Sequence, residues 1–359
     1  PVLAQKVVHV PMQLDYPFLG YDETFDLEFH VRHIALPQPG DWRQLCIQAA
    51  RIHSRGLDLS KPLWEMYIIE GINHAKEYAP GSFAVLFKIH HALVDGGAFT
   101  VMLSRLLDTR ADAPPRKART SVQMRAPKRG EALLMAAKSA SLRPVAFGRL
   151  LSGLAPRLLQ SRLKALSRHE EKLSKPKTVF NGMIGRSRVV EGVEFDFDAF
   201  NGIRTLVKGC TVNDVVLAVC GGALRKYLLH RGELPAQSLV AGAPVNLNTN
   251  RKSASDNDIS LMQLALQSQI DDPQARLEEV YRSSCVAKKA SETLGTRNMG
   301  DMSKQIPAPL LSLATSVLYK TGLVGSFGQL FNLIITNVPG PRMPLYFCGA
   351  ELKGLYGLA

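Results

Sequence analysis

Two adjacent histidines, His90 and His91, are followed by Asp95 and then by the glycine pair Gly96-Gly97. Imidazole is the side chain suited to carrying a proton at neutral pH, because its unperturbed pKa of about 6.5 lets it accept and return one readily. A histidine at the end of an apolar strand, beside a sharp turn, suits a proton carrier. Side chains alternate faces along a strand, so His91 is expected to point with Phe83, Val85, Phe87 and Ile89, and His90 the other way. That divergence argues against a shared metal ion, and no Cys or Glu sits at ligand spacing nearby, so no metal is expected. Each part also has a plain structural explanation. A lone histidine on an apolar face is usually a core residue, and Asp95 before a helix can simply cap it. The full pattern His-His-x-x-x-Asp-Gly at a strand–turn–helix junction is far more specific than its parts and points to catalysis.

The elements that must position these residues are legible around them. Phe83 to Ile89 is apolar and rich in β-formers, interrupted only by Lys88, and reads as a strand buried on at least one face. Asp95 with Gly96-Gly97 is expected to form a tight turn into a helix over 98–107. Glu65 to Ile69 reads as a strand pairing with 83–89, with Trp64 packing against the active strand. Upstream, 7–10 and 25–31 alternate like short strands, and 41–53 is an amphipathic helix with Asp41 as its cap. Downstream, 189–197, 238–246, 259–266 and 331–337 read as strands and 273–291 as a helix. Thr211 and Asp214 open a long helix to Leu229 with a capping-box-like start, which is a sufficient structural reason for Asp214. Asn213 is not needed by that cap and is the better functional candidate. Gly221-Gly222 inside this helix fits close packing rather than a phosphate loop. His9, His30 and His53 show no partner pattern.

With Pro62-Leu-Trp-Glu65, Val212-Asn-Asp-Val215, Ala243-Pro-Val-Asn-Leu247 and Asn337-Val-Pro-Gly-Pro341 in this order around the histidine motif, the chain resembles the bacterial wax ester synthase/diacylglycerol acyltransferase family. That family lies within the superfamily of acyl-CoA-dependent acyltransferases carrying His-His-x-x-x-Asp-Gly. The resemblance implies a two-domain α/β fold like chloramphenicol acetyltransferase, with a tunnel between the halves and His91 in its middle. It implies transfer of a fatty acyl group from acyl-CoA to the hydroxyl of a fatty alcohol or diacylglycerol, with His91 as general base and no bound cofactor. Asp95 would hold the loop through an ion pair, Gly96 would leave room for substrate, His90 belongs to the motif, and Asn213 would orient the reacting groups. Family members carry an arginine directly after the Pro-Val-x-Leu stretch, where this chain has Asn248. Arg251 is the nearest replacement as a partner for Asp95. Relatives also extend beyond both ends, so further segments are expected there. Two alternatives stand beside this reading: a condensation-type acyltransferase using a carrier-bound donor, and a non-catalytic lipid-surface protein. The intact motif argues against the second, and the absence of a carrier domain against the first.

The chain has 359 residues, enough for two domains. The expected division is an acyltransferase half over 1–109, a basic helical crossover over 110–178 and a second half over 179–359. The formal net charge is +13, and it is unevenly placed: residues 116–177 hold 16 Lys plus Arg against 3 acids, leaving the remainder neutral. Phe147, Leu150, Leu151, Leu154, Leu158 and Leu159 recur at helical spacing among Arg149, Arg157 and Arg162. A basic, leucine-bearing segment of this kind suits a crossover that also rests on an anionic membrane or lipid inclusion. No helix-turn-helix, zinc pattern or interleaved aromatics supports nucleic acid. Five unpaired-looking cysteines and apolar runs too short to cross a bilayer suggest a cytoplasmic protein, peripheral on the inner membrane face or on lipid inclusions.

Overall fold

The computed structural model describes residues 2–11, 15–93, 96–115, 130–131, 133–134, 137–138, 175–182, 185–246, 259–294, 316, 331–338, 340–341 and 343–358. The chain forms two compact units. The first comprises Pro1–Ala137, Ile184–Val193 and Pro339–Ala359, and the second Lys138–Met183 and Glu194–Val338. Most of the basic crossover expected over 110–178 lies outside the described residues, as do Asn248 and Arg251.

In the first unit, β1 (Gln5–Val8) pairs antiparallel with β2 (Phe18–Tyr21). The strand expected over 25–31 is instead a single helical turn, α1 (Leu27–His30), because the Asp26 side chain accepts from Glu28 N and winds the chain there. Extended structure resumes only at β3 (Val31–Ala35). The helix α2 (Trp42–Ser54) starts at a reciprocal cap: Asp41 accepts from Gln44 N while the Gln44 side chain accepts from Asp41 N. β4 (Trp64–Ile72) runs parallel to β3 and antiparallel to β5 (Ser82–Ile89), giving the order β3-β4-β5. Trp64 lies opposite Ile89 and Glu65 opposite Lys88. One face of this sheet buries Ile69 and Tyr67 with Ile52 of α2, and Ala84 and Leu86 of β5 pack against them. β4 is the more deeply buried strand; β5 is the outer strand among the described residues, half covered, with Ala84 and Leu86 on its packed face as expected.

The loop entering α2 depends on Gly40. Its φ is +74°, and a Cβ there would lie 1.8 Å from the Gly71 carbonyl oxygen, so only glycine lets these backbones meet. A bonded turn closes at His90–Leu93, and α3 follows over Gly96–Leu106. The glycine pair therefore opens the helix instead of forming the turn, which is made earlier by the histidine end of the motif. A short hairpin, β9 (Tyr346–Phe347) with β10 (Ala350–Glu351), reaches Asp108 through Tyr346.

The second unit holds α4 (Phe197–Arg204), α5 (Val212–His230), β6 (Val240–Asn246), β7 (Ile259–Ala265), α6 (Pro273–Leu294) and β8 (Leu333–Ile334). β6 is central, antiparallel to β7 and parallel to β8. Leu217 and Leu228 of α5 and Val280 of α6 bury against Leu239, Ala241 and Leu264. Asn332 is buried and completes β6: its Oδ1 accepts from Val240 N at 2.9 Å and its Nδ2 donates to Pro176 O at 2.8 Å. Gly221 is a packing glycine, since a Cβ there would sit 2.3 Å from Leu266 O. The expected strand at 189–197 does not form. Alternation supplies the faces, but a strand also needs a neighbour to take its hydrogen bonds; none pairs with this segment among the described residues, and Val189, Val193, Phe195 and Phe197 are exposed. The strand expected over 331–337 shortens to two residues.

Candidate active site

The end of β5 is fixed from its neighbour β4. His90 N donates to Leu63 O at 2.9 Å, one step past the Trp64–Ile89 pair. The Pro62–Glu65 stretch is therefore the register partner of the histidine motif. Its last two residues, Trp64 and Glu65, serve opposite faces. Trp64 is buried and stacks toward Phe87, with ring centroids 5.7 Å apart, and its Nε1 donates to Leu3 O. Behind it lies His30, buried between Trp64 and Phe25, its Nδ1 2.7 Å from Trp64 O. A backbone carbonyl only accepts, so the His30 proton sits on Nδ1. On the other face Glu65 is buried; Tyr67 donates its hydroxyl to Glu65 Oε2 at 2.9 Å, and Arg32 Nη1 lies 3.7 Å from that oxygen. Burial, then the bond to Glu65, pushes the Tyr67 hydroxyl pKa up.

The two histidines are placed differently. Ala92 N donates to His90 Nδ1 at 3.1 Å, and Leu93 N donates to His90 O at 2.9 Å. His90 thus braces its own turn, with Nδ1 the accepting nitrogen and the proton on Nε2. His91 follows as the second residue of that turn, and both histidines are exposed. Gly96 stands at the first position of α3. Asp95 lies outside the described residues. His90, His91 and Gly96 belong to the first unit and Asn213 to the second.

In the second unit Asn213 sits in the first turn of α5, half-buried, and its Oδ1 accepts from Asn337 Nδ2 at 3.3 Å. The Val212–Val215 stretch and the start of the Asn337–Pro341 stretch therefore meet. Asp214 is fully buried: its Oδ2 accepts from Thr211 N at 2.9 Å and Thr211 Oγ1 at 2.6 Å, completing the cap, while Oδ1 is buried without a partner. Burial, reinforced by Asp214, pushes the neighbouring Cys210 thiol pKa up. Among the described residues no group of three or more His, Cys, Asp and Glu is arranged to hold a metal, and no helix is long and apolar enough to cross a membrane.

The sequence pattern of the wax ester synthase/diacylglycerol acyltransferase catalytic domain matches residues 1–216, and that of the WS/DGAT C-terminal domain matches residues 255–359. The chain belongs to this family. It is 35% identical to the O-acyltransferase WSD of Acinetobacter baylyi over 350 residues, 94% of this chain and 72% of that protein. It is 31% identical to a putative diacylglycerol O-acyltransferase of Mycobacterium tuberculosis, across 100% of this chain and 70% of that one. The mixed α/β fold matches the wax ester synthase/diacylglycerol acyltransferase of Marinobacter aquaeolei with a TM-score of 0.64 and 28% identity, covering 98% of this chain and 72% of that structure. Sequence reasoning overlooked the Leu63 carbonyl that holds His90, and the Lys88 ammonium on the Ile52 and Arg55 carbonyls, for which its charge inside an apolar strand was the available signal.

Proposed function

We propose that this WS/DGAT-family chain transfers a fatty acyl group from acyl-CoA to the hydroxyl of a long-chain alcohol or a diacylglycerol, with His91 as general base. The observation that carries the assignment of the base is the division between the two rings. His90 Nδ1 is occupied by Ala92 N–H, whereas His91 stands exposed at the mouth of the same turn. In the reaction an imidazole nitrogen of His91 takes the hydroxyl proton while the oxygen attacks the thioester carbonyl. The C–S bond then breaks, and the proton passes to the departing CoA thiolate, giving ester and free thiol. A thioester is already activated, so the mechanism requires no protein nucleophile. Acyl chain and acceptor are apolar and, bound beside His91, displace the water that competes as acceptor. Asp95 holds the loop geometry, Gly96 keeps space for the protein backbone to approach the substrate, and Asn213, braced by Asn337, serves to orient a reacting group. The basic segment 116–177 keeps the enzyme at a membrane or lipid-inclusion surface, where its substrates reside.

The test is incubation of the purified protein with radiolabelled palmitoyl-CoA and either hexadecanol or dipalmitoylglycerol, with products separated by thin-layer chromatography. Labelled wax ester or triacylglycerol is expected, and is expected to vanish in His91→Ala. Product from a carrier-bound palmitoyl donor but not from palmitoyl-CoA would replace the donor. No product with any acceptor would refute the reading.

A further inference from the structure

Lys88 is the one charge in β5, two residues before the histidines. It shares a sheet face with Ala84 and Leu86, which pack against the cluster containing Ile52 of α2. Where that apolar face ends, the Lys88 ammonium turns to the end of α2. Its Nζ donates to Ile52 O at 3.0 Å and to Arg55 O. These carbonyls belong to the last turn and C-cap of the helix, where a helix runs short of its own donors; Ile52 O also receives Arg55 N at 3.3 Å, so Lys88 is its second donor. A cation there also meets the negative end of the helix dipole. Ile52 is only 2% exposed, so the anchor is fixed in the core. Across the strand pair stands Glu65, itself buried and held by Tyr67 and Arg32.

We infer that Lys88 is a positioning residue for the histidine turn: its ammonium ties the outer strand to the end of α2 and so sets where His90 and His91 emerge. The inference rests on the reading of His91 as the base. β5 has a strand neighbour on one side only among the described residues, through which Leu63 O holds His90 N. That backbone bond fixes the strand along β4 but leaves its end free to lift from the helix. The lysine supplies the second restraint. Burial, together with Arg55 and Arg32, pulls the Lys88 pKa down while Glu65 opposes them.

The experiment is a double-mutant cycle of Lys88→Met with His91→Ala, read as kcat and KM for palmitoyl-CoA. Lys88→Met keeps the apolar stem and removes only the donors. It is expected to lower kcat roughly 10- to 100-fold, the scale of an ångström-sized misplacement of a catalytic group, with KM changed less than about twofold. Lys88→Arg, which also donates to carbonyls, should recover most of kcat. In the His91→Ala background Lys88→Met should cost almost nothing more, because the group it positions is gone. Additive losses, or wild-type kcat in Lys88→Met, would overturn the positioning role while leaving His91 as the base. Near-normal activity of His91→Ala would instead overturn the base assignment. Should Lys88→Met fail to fold, Lys88→Gln decides: its shorter amide cannot span both carbonyls, so a folded variant with wild-type kcat overturns the proposal and a lowered kcat at unchanged KM supports it.

Discussion

Replacing the two histidines one at a time separates chemistry from scaffolding. His90 contributes one hydrogen bond through its ring, Ala92 N to Nδ1 at 3.1 Å, at an exposed position. A neutral bond of that kind is worth about 0.5–1.5 kcal/mol net. The turn keeps two further restraints when the ring is removed, Leu93 N to His90 O and His90 N to Leu63 O. If the whole of that energy is lost from the competent turn, His90→Ala lowers kcat by about 2- to 12-fold, at about 1.36 kcal/mol per decade. His91→Ala removes the base itself and is expected to cost roughly 10²–10⁴-fold. A third variant makes the distinction sharp. An asparagine at a turn's first position accepts from the N–H two residues on, the contact His90 Nδ1 makes here. His90→Asn should therefore recover most of the loss in His90→Ala, although it has no proton to exchange near neutral pH. Initial rates with saturating palmitoyl-CoA and hexadecanol decide the matter. If His90→Ala is as damaging as His91→Ala, or His90→Asn is no better than His90→Ala, His90 takes part in the chemistry and the division of roles is wrong.

Gly40→Ala should destabilise the first unit by more than about 2 kcal/mol, combining a left-handed φ with a Cβ 1.8 Å from Gly71 O; a melting temperature within a degree of wild type would contradict the backbone contact. Burial holds Lys88 below the ordinary lysine range, so on raising the pH the folded protein releases this proton before the unfolded chain does. The unfolded state then binds more protons and stability rises with pH, up to the unfolded value of about 10.4. The melting temperature of wild type relative to Lys88→Met should accordingly shift in favour of wild type between pH 7 and pH 10; a shift of the opposite sign would show that the two carbonyls outweigh burial and raise this lysine's pKa in the fold. Replacing Arg149, Arg157, Arg162 and Lys164 by glutamine should weaken flotation with anionic vesicles, each cation near the surface contributing on the order of 1 kcal/mol, while activity on a short soluble alcohol survives; flotation insensitive to these changes and to salt would leave the segment a crossover only.

Where sequence and structure agree, a local rule was enough. Asp41 with Gln44 and Thr211 with Asp214 announce their helices through reciprocal caps, and both caps form. The pairing of 65–69 with 83–89 follows from two apolar runs joined by a polar loop. The disagreements all concern partners that a sequence does not name. Val189 to Phe197 alternates like a strand, but alternation cannot supply a neighbour, and the segment stays unpaired among the described residues. Phe25 to His30 carries strand-forming residues, yet the single Asp26–Glu28 bond wins because four residues are too few for propensity to accumulate. β5 reads as buried on at least one face and packs Ala84 and Leu86 accordingly, but that it is the outer strand among the described residues depends on neighbours its composition does not name. At the site, the histidine pattern identified which residues to inspect; the contact of His90 Nδ1 with Ala92 could not be foreseen, because it depends on where the strand ends.

The motif stretches of the first unit act as one device. His90 and Leu63 lie 27 positions apart in the chain, yet the carbonyl of one receives the N–H of the other. Once that register is set, each residue type in Pro62–Glu65 has a task. Pro62 has no N–H to offer, and its carbonyl instead receives Trp64 N at 2.8 Å. Trp64 fills the sheet face that carries Phe87, and Glu65 stands opposite Lys88 on the face toward α2. Among the described residues β5 has a strand neighbour on one side only, so the histidine turn at its end lacks the far-side pairing of an inner strand. Here the restraint comes from above and below the sheet instead, through an indole on one face and an ammonium on the other. The exposed position that a general base needs for contact with bulky apolar substrates is thereby made compatible with a fixed geometry.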